Sequence, residues 1–278
     1  MAEYIDRRAL KSEVKTLLAD AQVSPKAMTA LYMGLILTLN LVSTLTGESG
    51  IIATFVTILT SLMALVLHAG FALYCMAIRR GERAEFLALF DGFSFVGKII
   101  ALNILIYAFT FFWSMLFLVP GIIASYRYRF ALFNLYENPE ISIMEALNLS
   151  KRQTFGYKGQ LFMLDLSYFG WSILSAIPAV VYNVSLYYET FQHTANYIGA
   201  GTISVMPLEA AAAAALPVIV WTLIIGVWQL VVSLFYYPSF QCVELGYFNI
   251  AKRTSGTSTD TSYQNSSWHN GPDNMGGF

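Results

Sequence analysis

Four ionisable side chains stand inside long apolar stretches, where charge is expensive. Arg127 and Arg129 lie in "GIIASYRYRFALFNLYE" (121–137), Asp165 in "GQLFMLDLSYFGW" (159–171) and Glu244 in "YYPSFQCVELGYFNI" (236–250). His68 joins them from the middle of the apolar run 51–78. A charge at the centre of a bilayer costs at least about 2.5–3.5 kcal/mol and usually marks a function or a pairing. Two kinds of use stay open for these residues: snorkelling or helix-locking pairs on one side, a substrate or ion pathway on the other. Hydrolytic or transfer chemistry has less to stand on, because it needs a nucleophile with a base, paired acids or clustered metal ligands. The three histidines, His68, His193 and His269, are scattered over an apolar run, a polar connection and the tail. No HExxH, GxSxG, P-loop or GxGxxG spacing occurs. Glu137, Glu140 and Glu145 read as helix-end and interface charges. No catalytic, cofactor-binding or metal residue is therefore assigned, and the chain reads as a non-enzyme.

The elements that must position those charges follow from composition. The 278 residues are 56% hydrophobic and 12% charged, with mean hydropathy +0.57. Soluble domains carry about 25% charged residues, so most of this surface must face lipid. A net charge of −1, with no basic cluster typical of a nucleic-acid binder, excludes that class of partner. Cys75 and Cys242 lie in apolar runs without CxxC spacing and read as small buried hydrophobes. A spanning helix needs about 20 apolar residues. Residues 27–46, 51–78, 98–118, 160–183 and roughly 212–237 qualify, with Pro217 a candidate kink in the last.

Basic residues then set the parity. Of 16 Lys and Arg, five precede the first run, four lie between 79 and 98, three between 151 and 158, and two at 252–253. The connections 47–50 and 184–211 hold none. Basic loops mark the cytoplasmic side, so the chain crosses an even number of times between Lys98 and Lys151. With one crossing at 98–118, residues 121–137 become a short returning span, and Pro120 with Gly121 is predicted as the hairpin turn. The competing reading extends the helix of 98–118 straight into the cytoplasm through 122–136. The predicted fold is an all-α, polytopic helical membrane bundle of about six transmembrane helices with amphipathic interfacial helices.

Three stretches flank that bundle. Residues 1–26 carry Leu10, Val14, Leu17, Leu18 and Ala21 at helical spacing. They predict a cytoplasmic amphipathic helix, either on the membrane surface or packed on the bundle; no cleaved signal peptide is expected. Residues 82–96 place Phe86, Phe90 and Phe93 on one helical face in the interface. In 139–156, Ser142 and Glu145 form a capping box and Gly156 a stop. Tyr187, Tyr188, Phe191 and Tyr197 read as an interfacial belt, and 253–278 as a disordered cytoplasmic tail after the 27–252 transmembrane domain. Depth also suggests a partner for Arg129. It is eight residues from Glu137, and Asp165 is seven from Lys158, so both sit about 10–12 Å from the same face. That pairing leaves Arg127, rotated by about 200°, free for a headgroup or substrate.

Residues 116–171 resemble the bacterial domain-of-unknown-function 975 integral-membrane family. The resemblance rests on Pro120-Gly121-Ile122, Ser125-Tyr126 with Tyr128, Asn138-Pro139-Glu140-Ile141, Glu145-Ala146 with Ser150, and Gly156, Lys158 and Phe169-Gly170-Trp171. "YYPSFQCVELGYFNI" is similar to that family's closing motif. A looser likeness exists to the membrane domain attached to some glycerophosphodiester phosphodiesterases. These residues include no hydrolase segment, so that activity does not transfer. The main resemblance implies a multi-pass bacterial plasma-membrane protein and brings no reaction or cofactor. The expected role is non-catalytic, organising or assisting envelope components, with membrane lipids, other membrane proteins or a second copy as partners. The alternative is a small permease or lipid- or ion-handling channel using the intramembrane Arg and Asp residues.

Overall fold

A computed structural model of the chain describes residues 3–47, 50–200 and 208–256. Among them every regular element is helical. The order is α1 (Arg7–Ala19), α2 (Pro25–Leu45), α3 (Ile51–Arg80), a 3₁₀ helix (Phe86–Phe95), α4 (Val96–Leu116), α5 (Leu118–Tyr128), α6 (Ala131–Glu137), α7 (Ile143–Gln153), α8 (Lys158–Ala200) and α9 (Leu208–Thr254). Five stretches are long and apolar enough to cross a membrane: Pro25–Leu45, Ile51–Arg80, Phe86–Leu116, Lys158–Glu189 and Leu216–Thr254. Their outward faces remain apolar, as a lipid solvent requires: Phe55, Ile104, Phe111, Ile177, Val180 and Val227 are all exposed.

The sixth expected span, 121–137, does reverse on α4 but is two helices rather than one. Phe117 alone makes the turn, with extended backbone at φ −160°, ψ 151°. Pro120 and Gly121 therefore stand inside the first turn of α5, which corrects their assignment as the turn itself. Proline fits there because the first helical N–H groups have no intrahelical acceptor. Gly121 does not adopt a positive φ; its missing Cβ lets α5 approach Ser114 of α4 where any side chain would collide. The chain breaks again at Arg129–Phe130 before α6 begins.

The packed core lies toward the charged end rather than the middle of the apolar helices. Phe71, Tyr74, Phe130, Leu135, Leu147, Tyr157, Tyr247 and Phe248 are fully or almost fully buried there. Of the two readings of the N-terminal helix, the packed one holds. Leu10 and Val14 of α1 are buried, Leu10 lies against Gly246 of α9, and Glu13 meets Arg79 of α3 at 3.3 Å. The 3₁₀ helix buries Leu89 and Gly92 against α3, where Gly70 gives Leu89 room, and leaves Phe86, Leu87, Phe90 and Phe93 exposed. Ser142 caps α7 by accepting from the Glu145 N–H at 3.2 Å, and Gly156 takes φ +84° after it.

α8 runs through Ala200, so the expected connection 184–211 is helical over its first part. Tyr187, Tyr188 and Phe191 are exposed along it, whereas the side chains of His193 and Tyr197 fall outside the described ones. α9 starts at Leu208 and continues through Pro217 and Pro238. The predicted tail lies almost wholly outside the described residues.

Candidate functional site

The site forms where α9, α8 and the α5–α6 break meet. Arg129 occupies the break. Its Nη1 and Nη2 donate to the Asp165 Oδ2 and Oδ1 at 2.5 and 2.8 Å, a two-pronged pairing that matches the planar guanidinium to the carboxylate. Its Nε donates to the Glu244 Oε1 at 2.5 Å. One cation therefore holds acids from two different helices. The three side chains are 18%, 33% and 8% exposed respectively. The Tyr126 hydroxyl donates to the Asp165 Oδ2 at 2.7 Å, and the guanidinium carbon lies 5.5 and 5.9 Å from the Tyr126 and Phe240 rings.

Register explains why these residues meet. Phe130 and Phe133 both pack on Phe248, and Glu137 accepts from Lys252 at 2.7 Å. Thus α6 runs alongside the end of α9, in steps that put Arg129 opposite Glu244. On the other side, Tyr168 reaches Ser239 at 3.1 Å and Tyr157 reaches Thr254 at 2.9 Å, which brings Asp165 to the level of Glu244. Glu244 is eight residues before Lys252, so all three charges lie about 10–12 Å along the helices from their basic ends.

The break that presents Arg129 is held from α7. Ser150 Oγ accepts from the Phe130 N–H at 3.2 Å and donates to the Arg127 carbonyl at 2.9 Å, and the Thr154 hydroxyl is shared between the Ser150 carbonyl at 2.8 Å and the Arg127 carbonyl at 3.2 Å. Interrupting a helix strands backbone groups, and these hydroxyls replace the missing bonds. Below them, Asn134 and Gln153 exchange side-chain amide bonds, both at 2.8 Å. Neither the break nor its hydroxyl partners was expected from sequence; the available signal was Ser150, at the end of "EALNLS" in line with the buried Ala146 and Leu147.

The remaining predicted residues separate from this cluster. His68 bonds the Tyr237 hydroxyl through Nδ1 at 2.9 Å, and Tyr237 stacks on Tyr32 with centroids 5.6 Å apart. Arg127 is half-buried and its guanidinium has no hydrogen-bonded or ionic partner among the described residues. Cys75 and Cys242 are buried, free thiols.

Chemically, the cluster is a bonded acid–cation–acid bridge. Its carboxylates are engaged by a guanidinium that stays protonated, which suits them to binding helices together rather than to moving protons in acid–base work. Among the described residues, no three His, Cys, Asp or Glu side chains gather as a metal site requires.

The all-helical architecture, with five helices of spanning length and apolarity, defines a polytopic membrane bundle. Within that class, residues 115–206, about a third of the chain, match the family described as "Protein of unknown function (DUF975)". The matched residues include the hairpin tip, the break, α7 and Asp165; Glu244 lies beyond them. No curated protein and no solved structure matches the chain.

Proposed function

We propose that this chain is a non-catalytic protein of the bacterial plasma membrane, with both termini in the cytoplasm, that organises or assists envelope components through contacts with lipids and membrane proteins. The observation that carries the reading is the double engagement of Arg129 by Asp165 and Glu244. A substrate or ion pathway needs charged groups that can exchange partners, and here Arg129, a cation set among apolar helices, is occupied by acids on two sides. The basic ends of the helices lie together, as one cytoplasmic face would have them.

Reconstitution separates this role from the permease alternative. Proteoliposomes of the purified chain should pass protons, potassium and chloride no faster than empty vesicles under an imposed gradient. Flux above that background, reduced by Asp165→Asn, overturns the scaffold role in favour of transport.

A further inference from the structure

A groove of about 780 Å³ opens where the second half of α1, the first turn of α2 and the middle of α9 converge. Lys11, Lys15 and Lys26 line it, and no Asp or Glu is among its lining residues. Lys11 donates to the Ser167 hydroxyl at 3.1 Å and lies 4.2 Å from the Tyr168 ring centroid; Lys26 stands 6.0 Å from that of Phe235. None of the three makes a salt bridge among the described residues, and the neighbouring acid Glu13 turns to Arg79 instead. Three like charges converging on one groove repel one another unless an anion sits among them.

The other half of the groove is apolar. Leu18, Leu234 and Phe235 form it, and Phe235 is 63% exposed. Val231 and Trp228 continue that exposed face up α9 at i−4 and i−7 from Phe235, while Trp171 of α8 stacks on Phe235 at 6.4 Å. A polar pocket therefore passes directly into an apolar strip on a lipid-facing helix. The level is also right: Lys26 is the second residue of α2, whose apolar run begins there. Free N–H groups in the first turn of a helix add positive potential at the same place.

We infer that this groove binds an anionic phospholipid, its phosphate held by Lys15 and Lys26 and an acyl chain lying along Phe235, Val231 and Trp228. The combination of unpaired cations with a continuous apolar strip favours a lipid over a small anion, which would use only the cations. The site rests on the membrane reading and is independent of whether the bundle is a scaffold or a permease, because its test reads bound lipid rather than flux.

The test uses the full chain in mild detergent, with native mass spectrometry and thermal melting during titration by phosphatidylglycerol, phosphatidylcholine or inorganic phosphate. Phosphatidylglycerol should be retained and raise the melting temperature, whereas phosphatidylcholine should bind at least about tenfold more weakly. Lys15→Gln with Lys26→Gln should lose about tenfold in phosphatidylglycerol affinity, while Lys15→Arg with Lys26→Arg, folded alike, retains it. Equal retention of both lipids, or unchanged binding by the Gln pair, overturns the site. Displacement of the lipid by millimolar inorganic phosphate also overturns it, since the groove would then be a simple anion site.

Discussion

At Arg129 one positive charge faces two negative ones, Asp165 and Glu244, and that count orders the effects of substitution. Asp165→Leu leaves Arg129 bonded to Glu244, and Glu244→Leu leaves it bonded to Asp165; in each case a neutral pair survives. Arg129→Leu leaves two carboxylates close together with no cation. Removing one partner of a buried pair costs about 3–5 kcal/mol because the other charge is left uncompensated. Arg129→Leu should therefore be the most destabilising of the three, by about that amount, and Asp165→Asn with Glu244→Gln should recover much of the loss in the Arg129→Leu background. Thermal melting in detergent orders the variants; a loss for Asp165→Leu as large as that for Arg129→Leu contradicts the shared-cation arrangement. Counting residues from the helix ends made the Arg129–Asp165 pair legible in the sequence. The same count reaches Glu244, eight residues before Lys252, but depth alone does not say that α6 lies beside α9. The Tyr126 hydroxyl was hidden for a similar reason, since its direction depends on the helix crossing. The His68–Tyr237 contact likewise joins residues 169 positions apart in sequence.

Among the elements, the α5–α6 break is the feature that sequence pattern conceals. "ASYRYRFALFNL" contains neither proline nor glycine at Arg129–Phe130, and its local preferences do not mark a stop. The interruption is stabilised from outside, by Ser150 of α7 and by Thr154, which caps that helix. By contrast, α7 itself was legible through Ser142 and Gly156, and α1 through its Leu10–Val14 stripe, because caps and periodicity are local properties. A hydroxyl that serves both a buried N–H and a carbonyl has a definite cost when removed. Ser150→Ala leaves the Phe130 N–H unsatisfied in a buried setting, a loss of about 1–3 kcal/mol. Ser150→Thr, which restores the hydroxyl, should be milder than Ser150→Ala. Hydrogen exchange at Phe130 reads the effect directly: its amide should lose protection in Ser150→Ala more than amides in α2. Unchanged protection at Phe130 shows that the break does not depend on this residue.

For the whole molecule, the decisive relation is that the basic helix ends gather at one end of the bundle. Arg80 of α3 and Lys252 of α9 both bond Glu137 at the end of α6, at 3.4 and 2.7 Å. Arg79 reaches Glu13 of α1, and Lys98, near the start of α4, donates to the Pro139 carbonyl. These contacts join the ends of α3, α6 and α9 to the start of α4 without reference to any membrane, and they agree with the parity drawn from the loops that lack Lys and Arg. A bundle built so should show one side to the cytoplasm and the opposite end, with the exposed Tyr187 and Tyr188 of α8, to the other compartment. Single cysteines at Tyr188 and at Ser258, four residues past the end of α9, test this in a background carrying Cys75→Ala and Cys242→Ala. In intact cells an impermeant maleimide should label Tyr188→Cys and leave Ser258→Cys unlabelled until the membrane is opened. Labelling of both from outside would place the basic ends and the tyrosine end on the same side, which no arrangement of these antiparallel helices in a single bilayer allows, and would overturn the topology.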